Sequence, residues 1–382
     1  GQNSGVDFWR SLDGGASWSW SQPAFLDQAG GGDSDVVVGS DGSVWLADLG
    51  LAAVYVGRST DQGASWTASS PGALDADRQW LATWSPTPGA APTKVFLYYH
   101  DVNADNLPYE CISLDGGAVF QPACNPMVTD PVVAANATGN TIVGPQFFDS
   151  TGSVYAAFAS PTAGDTVGTY RNIYLARSSD GVTFTDRAVY SAPVGVDVAG
   201  IFPTLAIDRS DDLYVAWAER TAPFGPSAIK LAYSTDHGDH WSAPITVSPT
   251  GGSTVLPWVV AGSAGEVDVV WVGTTSASTN DPTADWYEYM AQSTNVIGGA
   301  GFKAARVTSQ PIRYGTICLA GLNCSVGGDD GRILLDFTSV DVDSAGNARI
   351  AFANSGPEGT YGDPSMPYTD VATQTANGGI FR

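Results

Sequence analysis

The chain has 382 residues, 39 of them acidic against 16 Lys and Arg, for a formal net charge of −23. A surface this acidic repels phosphate backbones and anionic lipid, which excludes nucleic acid and anionic membrane surfaces as partners and suits a soluble, cation-tolerant protein. No run of about 18 apolar residues occurs, so no membrane-spanning helix is expected.

Gly1-Gln2-Asn3-Ser4-Gly5 reads as a processed or truncated start. Val6–Arg10 follows as a strand and leads into Ser11-Leu12-Asp13-Gly14-Gly15-Ala16-Ser17-Trp18, a Ser-x-Asp-x-Gly-x-x-aromatic pattern. The pattern returns at Ser59 to Trp66, Ser113 to Phe120 and Ser234 to Trp241, and one residue shorter at Ser178 to Phe184. Ser293-Thr294-Asn295 and Thr375-Ala376-Asn377 read as decayed copies, which makes seven positions. The Asp residues at 13, 61, 115, 180 and 236 are 48 to 65 residues apart, about the size of one propeller blade. Each copy reads as a tight turn: the Asp accepts from backbone N–H groups just ahead, and Gly takes the positive φ.

Between Asp35 and Leu74 one full unit is legible. Val36-Val37-Val38 is an inner strand and Val44-Trp45-Leu46-Ala47 the second. Val54–Arg58 is the third, followed by the turn and an outer strand. The second strand recurs as Val95–Tyr99, Val154–Phe158, Leu213–Trp217, Val267–Trp271 and Arg349–Ala353. No amphipathic helix of about 12 residues stands out. Radial repetition of such sheets makes a β-propeller, in which each unit buries against a neighbour what it cannot bury alone. The expectation is therefore an all-β fold, one domain over 1–382, with four-stranded antiparallel blades and seven blades favoured over six.

The four cysteines fall into two close pairs, Cys111 with Cys124 and Cys318 with Cys324, and no C-x-x-C occurs. Two local disulfides and an exported, extracellular protein are expected.

These turns and the blade layout resemble the Asp-box (BNR-repeat) sialidase-like propellers over nearly the whole chain. Asp77-Arg78-Gln79-Trp80-Leu81-Ala82, and Cys318-x-x-Gly321-x-x-Cys324 leading into Asp330–Phe337, are similar to a secreted bacterial subgroup of that superfamily. The resemblance implies the fold and a glycan-directed role, since the superfamily holds sialidases, other glycosidases, lyases and non-catalytic proteins. The Phe/Tyr-Arg-Ile-Pro stretch that carries the first substrate-binding arginine of true sialidases has no counterpart, because Arg313 follows Pro311-Ile312.

Propeller ligands sit where the inner strands begin. By position, the residues reaching that mouth are Asp35, Asp77, Arg78, Trp80, Gln146, Phe202, Trp258, Arg332 and Asp336. Asp77 and Asp336 are the expected catalytic carboxylates. Asp35, Arg78, Trp80, Gln146, Trp258 and Arg332 are the expected substrate contacts, with arginine suited to an acidic sugar. The bland alternative is that Asp77–Arg78 and Arg332–Asp336 brace the inner strands as ion pairs. His100, ending a second strand, reads as a satisfied structural histidine. Asp101, Asn103 and Asp105 alternate oxygen ligands as a surface Ca²⁺ loop would; otherwise no cofactor is required. Two functions remain: a secreted enzyme acting on glycans, or a non-catalytic propeller binding glycan or protein at the cell surface.

Overall fold

The computed structural model describes residues 6–23, 32–50, 53–102, 106–138, 140–165, 169–198, 201–222, 224–249, 251–319, 334, 338–355, 368–375 and 379. The chain divides into two compact units, Gly1–Ala157 with Leu175–Asp186, and Phe158–Tyr174 with Arg187–Arg382.

The first unit opens with a two-stranded hairpin, β1 (Phe8–Arg10) and β2 (Ser19–Ser21). Blade 1 follows as β3 (Ser34–Val38), β4 (Val44–Leu49), β5 (Val54–Ser59) and β6 (Thr67–Ser69), and blade 2 as β7 (Ala76–Trp84), β8 (Lys94–Asp101), β9 (Pro108–Ser113) and β10 (Asn125–Pro126). A seven-residue helix, α1 (Pro131–Ala137), starts on Asp130, whose side chain accepts from the Val132 and Val133 N–H groups. Blade 3 is β11 (Ile142–Phe148), β12 (Val154–Ser160), β13 (Asn172–Ser178) and β14 (Thr185–Ser191), and it supplies residues to both units.

In the second unit, blade 4 is β15 (Thr204–Ile207), β16 (Leu213–Arg220), β17 (Ser227–Ser234) and β18 (Ile245–Thr246). Blade 5 is β19 (Ser253–Ala261), β20 (Val267–Thr274), β21 (Asp285–Ser293) and β22 (Lys303–Arg306), with β23 (Arg313–Tyr314) also paired to β21. Blade 6 shows three strands among the described residues, β24 (Thr338–Val342), β25 (Ala348–Asn354) and β26 (Tyr368–Thr373).

The fold is an all-β propeller of six blades, so the expectation of seven is corrected. The first turn copy, Ser11 to Trp18, joins none of these blade sheets among the described residues. β1 and β2 pair only with each other, Phe8 packs edge-on against Trp66 at 5.2 Å, and Arg10 Nη1 donates to Gln62 O at 2.7 Å. The hairpin thus lies on the turn of blade 1 and brings no inner strand of its own.

Second strands are largely apolar where both of their faces are covered; every residue of β12 and β20 is buried. Trp45, Trp217 and Trp271 from β4, β16 and β20 are among the largest fully buried side chains. The outer strands β6, β10 and β18 are only two or three residues long, which blunts their free edges. The Ser-x-Asp turns bond as their chemistry requires. Ser59 Oγ donates to Asp61 at 2.8 Å, Gly63 N to Ser59 Oγ at 2.7 Å, and Ser65 N to Asp61 at 2.8 Å. The decayed copy at Asn295 keeps one such bond, accepting from Gly298 N at 2.8 Å. A second kind of turn joins first and second strands, where a buried Asp accepts from a tyrosine six residues on: Asp149 from Tyr155 and Asp208 from Tyr214.

Cys111 and Cys124 form a disulfide across blade 2, with Cα atoms 4.2 Å apart. Cys318 is also disulfide-bonded, and its expected partner Cys324 lies outside the described residues. Among the described residues no helix is long and apolar enough to cross a membrane.

The fully buried Tyr214 hydroxyl donates to Asp208 at 2.7 Å and accepts from Gly265 N at 3.1 Å. Tyr214→Phe leaves Asp208 without that donor and is expected to lower unfolding free energy by about 1–3 kcal/mol, read by denaturant titration.

Candidate functional site

In the first unit, β7 carries a β-bulge. Asp77 lies opposite His100 and Trp80 opposite Tyr98, so Arg78 and Gln79 together face a single residue of β8. Arg78 takes the positive φ, at 53°, that the bulge demands. The extra residue puts Asp77 and Trp80 on the same face of the sheet, which an unbroken strand would not allow.

Asp77 Oδ2 meets His100 Nε2 at 3.1 Å, and the other ring nitrogen of His100 meets Thr141 O at 3.0 Å. A neutral imidazole has one N–H to give and here faces two acceptors. Satisfying both takes a second proton, on the ring or on Asp77. Burial opposes the Asp77 charge, but the His100 hydrogen bond and the charges of His100 and Arg78 outweigh it and hold the carboxyl below its ordinary range. The Asp77 side chain stays 41% exposed while that of His100 is 8% exposed.

Asp35 behaves oppositely. It lies on β3, half-buried, and its Oδ2 accepts from Leu81 N on β7 at 2.7 Å. β7 ladders only with β8, so its other edge presents N–H groups that a carboxylate can cap. Burial pushes Asp35 up to about 6, against the lowering effect of the Leu81 and Val36 N–H groups. Asp48, at the mouth end of β4, is 2% exposed, and burial pushes it also to about 6. Gln79 Nε2 donates to Asp33 O and ties the bulge to the start of blade 1.

Trp80 and Gln146, expected as substrate contacts, are buried. The Trp80 indole N–H donates to Val143 O at 3.1 Å, and the Gln146 amide donates to Trp80 O and Glu110 Oε1, each at 3.2 Å. The Trp80 ring is 2% exposed, its N–H turned to β11 of blade 3, which removes it as a stacking platform. Arg78 is buried at 5% exposure. Asp77 has His100 as a hydrogen-bond partner, a residue that sequence reasoning set aside as structural.

In the second unit Phe202 and Trp258 come together edge-on at 6.5 Å. Trp258 follows another bulge, where Leu256 takes φ 56° between the pairs of Val255 and Trp258. Asp336 and Arg332 lie outside the described residues, as do Asn103 and Asp105 of the expected calcium loop. Among the described residues no cluster of three or more His, Cys, Asp or Glu could hold a metal. Reasoning from sequence did not find Asp48. The available signal was that second strands carry a titratable residue at their mouth end, Asp48 on β4 and His100 on β8.

No protein-family model matches the chain, and no curated protein does. Among solved structures, the intramolecular trans-sialidase of Ruminococcus gnavus is 10% identical with a TM-score of 0.52, over 91% of this chain and 94% of that one. The α-L-arabinofuranosidase Arb93A of Fusarium graminearum is 12% identical with a TM-score of 0.50, over 90% and 92%. A protein of unknown function from Dyadobacter fermentans is 13% identical with a TM-score of 0.53, over 90% and 94%. At these identities the likeness is one of fold alone.

The shifts set a pH profile for stability. Asp35 and Asp48 are raised to about 6, Asp268 to about 7 and Glu288 to about 8, all by burial. The native state keeps protons on them that the unfolded chain has already released near pH 4, so stability falls as pH rises from about 4 through 8. The turn residues Asp13, Asp61 and Asp180 are lowered to about 2 by their hydrogen bonds, so their contribution is present above about 4 and lost as pH falls towards 2. Melting temperature is expected to peak between about pH 4 and 5, with the alkaline decline flattened in Glu288→Gln.

Proposed function

We propose that the chain is a glycan-acting propeller that hydrolyses a glycosidic bond, with Asp35 as general acid and Asp77 as the ionised partner. The observation that carries this reading is the opposed shift of two carboxyls on neighbouring first strands, one held up to about 6 and one held down. Environments that push two carboxyls apart assign the acid and the base. In the reaction, protonated Asp35 gives its proton to the leaving glycosidic oxygen as the C–O bond breaks. The Asp77 carboxylate attacks the anomeric carbon, or takes a proton from the water that does; the product's anomeric configuration tells which. His100 and Arg78 hold Asp77 charged for that role.

Two structures that share the fold are named for sugar chemistry, a trans-sialidase and an arabinofuranosidase, which supports a glycan as substrate. The acidic-sugar expectation leaned on Arg78 and Arg332. Arg78 is buried and Arg332 lies outside the described residues, so the reading commits to a glycosidic bond and leaves the sugar to the screen. The disulfide is compatible with an exported protein working on extracellular glycan.

The test is a chromogenic-glycoside screen of the wild type beside Asp35→Asn and Asp77→Asn, with melting temperatures to establish folding. Each substitution is expected to lower kcat by about 10²–10⁴. The pH–rate profile is expected to be a bell whose alkaline limb falls near pH 6, where Asp35 loses its proton, and whose acid limb lies below the ordinary carboxylate range. Asp35→Asn removes the alkaline limb. Turnover unchanged in both variants overturns the assignment, and glycan binding without turnover favours a recognition role.

A further inference from the structure

His100 stands directly opposite Asp77 across the β7–β8 ladder, near the end of β8, with its side chain 8% exposed. Its Nε2 meets Asp77 Oδ2 at 3.1 Å, and its Nδ1 meets Thr141 O at 3.0 Å. Thr141 is 0% exposed, and its hydroxyl is already given to Asn106 O at 2.6 Å. A carbonyl oxygen buried away from water needs a donor and can never be one, so Nδ1 carries a hydrogen. With that hydrogen fixed, a neutral ring would turn the bare lone pair of Nε2 towards the Asp77 carboxylate, acceptor against acceptor.

The other charged and titratable groups around the ring come from three strands. On β7 the Arg78 charge acts on Asp77. On the ring's own face of β8 and β9 come Tyr98 and Glu110, and burial pushes both of them up, away from ionisation. Pro108 of β9, directly across from His100, does not titrate, and neither does Thr141. Tyr99 and Asp101 alternate to the opposite face of β8. Asp77 is the carboxylate aligned with the ring.

We infer that His100 is a positioning residue that donates from both ring nitrogens, an imidazolium strung between the Thr141 carbonyl and the Asp77 carboxylate. The carbonyl belongs to the backbone and cannot swing, so the ring is fixed at one end and dictates where Oδ2 lies at the other. Its bond to the carboxylate is charge-assisted, the stronger kind of hydrogen bond. A proton taken up by Asp77 removes that assistance, so the ring sets the basicity of Asp77 as well as its direction. The positioning role rests on the reading of Asp77 as the ionised partner in catalysis. The doubly protonated ring stands on its own geometry.

Nitrogen-15 NMR of histidine-labelled full chain tests the ring without needing turnover. The chain has three histidines, and the exposed His237 and His240 are replaced by Gln so that His100 alone reports. At about pH 5 both ring nitrogens are expected to be protonated, and Asp77→Asn is expected to leave a proton on Nδ1 only, because a buried imidazolium loses its counter-charge. In the glycoside assay His100→Gln is expected to lower kcat by about 10²-fold with KM unchanged. The acid limb of its pH–rate profile should rise to the ordinary carboxylate range, about pH 4, which loss of a merely structural contact would not cause. A singly protonated ring in the parent overturns the inference, and so does double protonation that persists in Asp77→Asn. An acid limb unmoved in His100→Gln overturns the positioning role. Absence of turnover on every glycoside refutes the catalytic reading instead, and the ring protonation then decides the inference by itself, as it does if His100→Gln does not fold.

Discussion

A strand that is apolar on both faces cannot be satisfied by its own sheet, and the second strands of most blades are of this kind. β12 and β20 are buried at every position, and β4, β16 and β20 each bring a tryptophan of at most 1% exposure. A lone four-stranded sheet would leave one such face in water, at roughly 25 cal/mol for each Å² of apolar surface. Packing against the next blade's first strand removes that cost, as β4 does against β7 in the first unit and β16 against β19 in the second. Blades therefore form only in company, and a turn copy without a second strand, such as the one between β1 and β2, makes no blade.

The same stacking creates the chemistry at the mouth. A first strand pairs on one edge only, so its other edge carries N–H and C=O groups that must find partners away from bulk water. Leu81 N finds Asp35, and Asp33 O finds the Gln79 amide. A carboxyl recruited for this purpose sits among protein atoms that disfavour its charge, and Asp35 rises accordingly. The bulge in β7 does the complementary work, aligning Asp77 with His100 at the expense of a positive φ on Arg78.

What could be read from sequence was what is local. Asp61 bonds to Ser59 and Ser65, within four residues either way, so the turn and its spacing were legible in one pass. The blade count was not, because Phe8 and Arg10 show their role only through Trp66 and Gln62, more than 50 residues on. Asp35 and Asp77 were legible as candidates because they lie at the starts of first strands. Trp80 was misplaced because a bulge is invisible in the pattern, and one extra residue decides which face a side chain takes. His100 was set aside because its contact with Asp77 runs across strands whose register the sequence does not state.

A raised carboxyl pKa alone does not mark a catalytic acid in this protein. Glu110, Asp268 and Glu288 are all 0% exposed, and burial lifts each of them, yet a substrate cannot reach any of them. Glu110 holds Gln146 and Glu288 holds Thr338, each linking a third strand to the first strand of the next blade. They are buried hydrogen-bonding groups of the blade interfaces, and their upward shifts follow from the stacking described above. Asp35 differs in one respect, that it is raised on a residue only half-buried at the start of a first strand. Asp77 differs in another, that it is held ionised by a histidine which is itself anchored on a backbone carbonyl. Opposite shifts at the starts of neighbouring first strands, rather than perturbation as such, separate this pair from the other buried carboxyls of the fold.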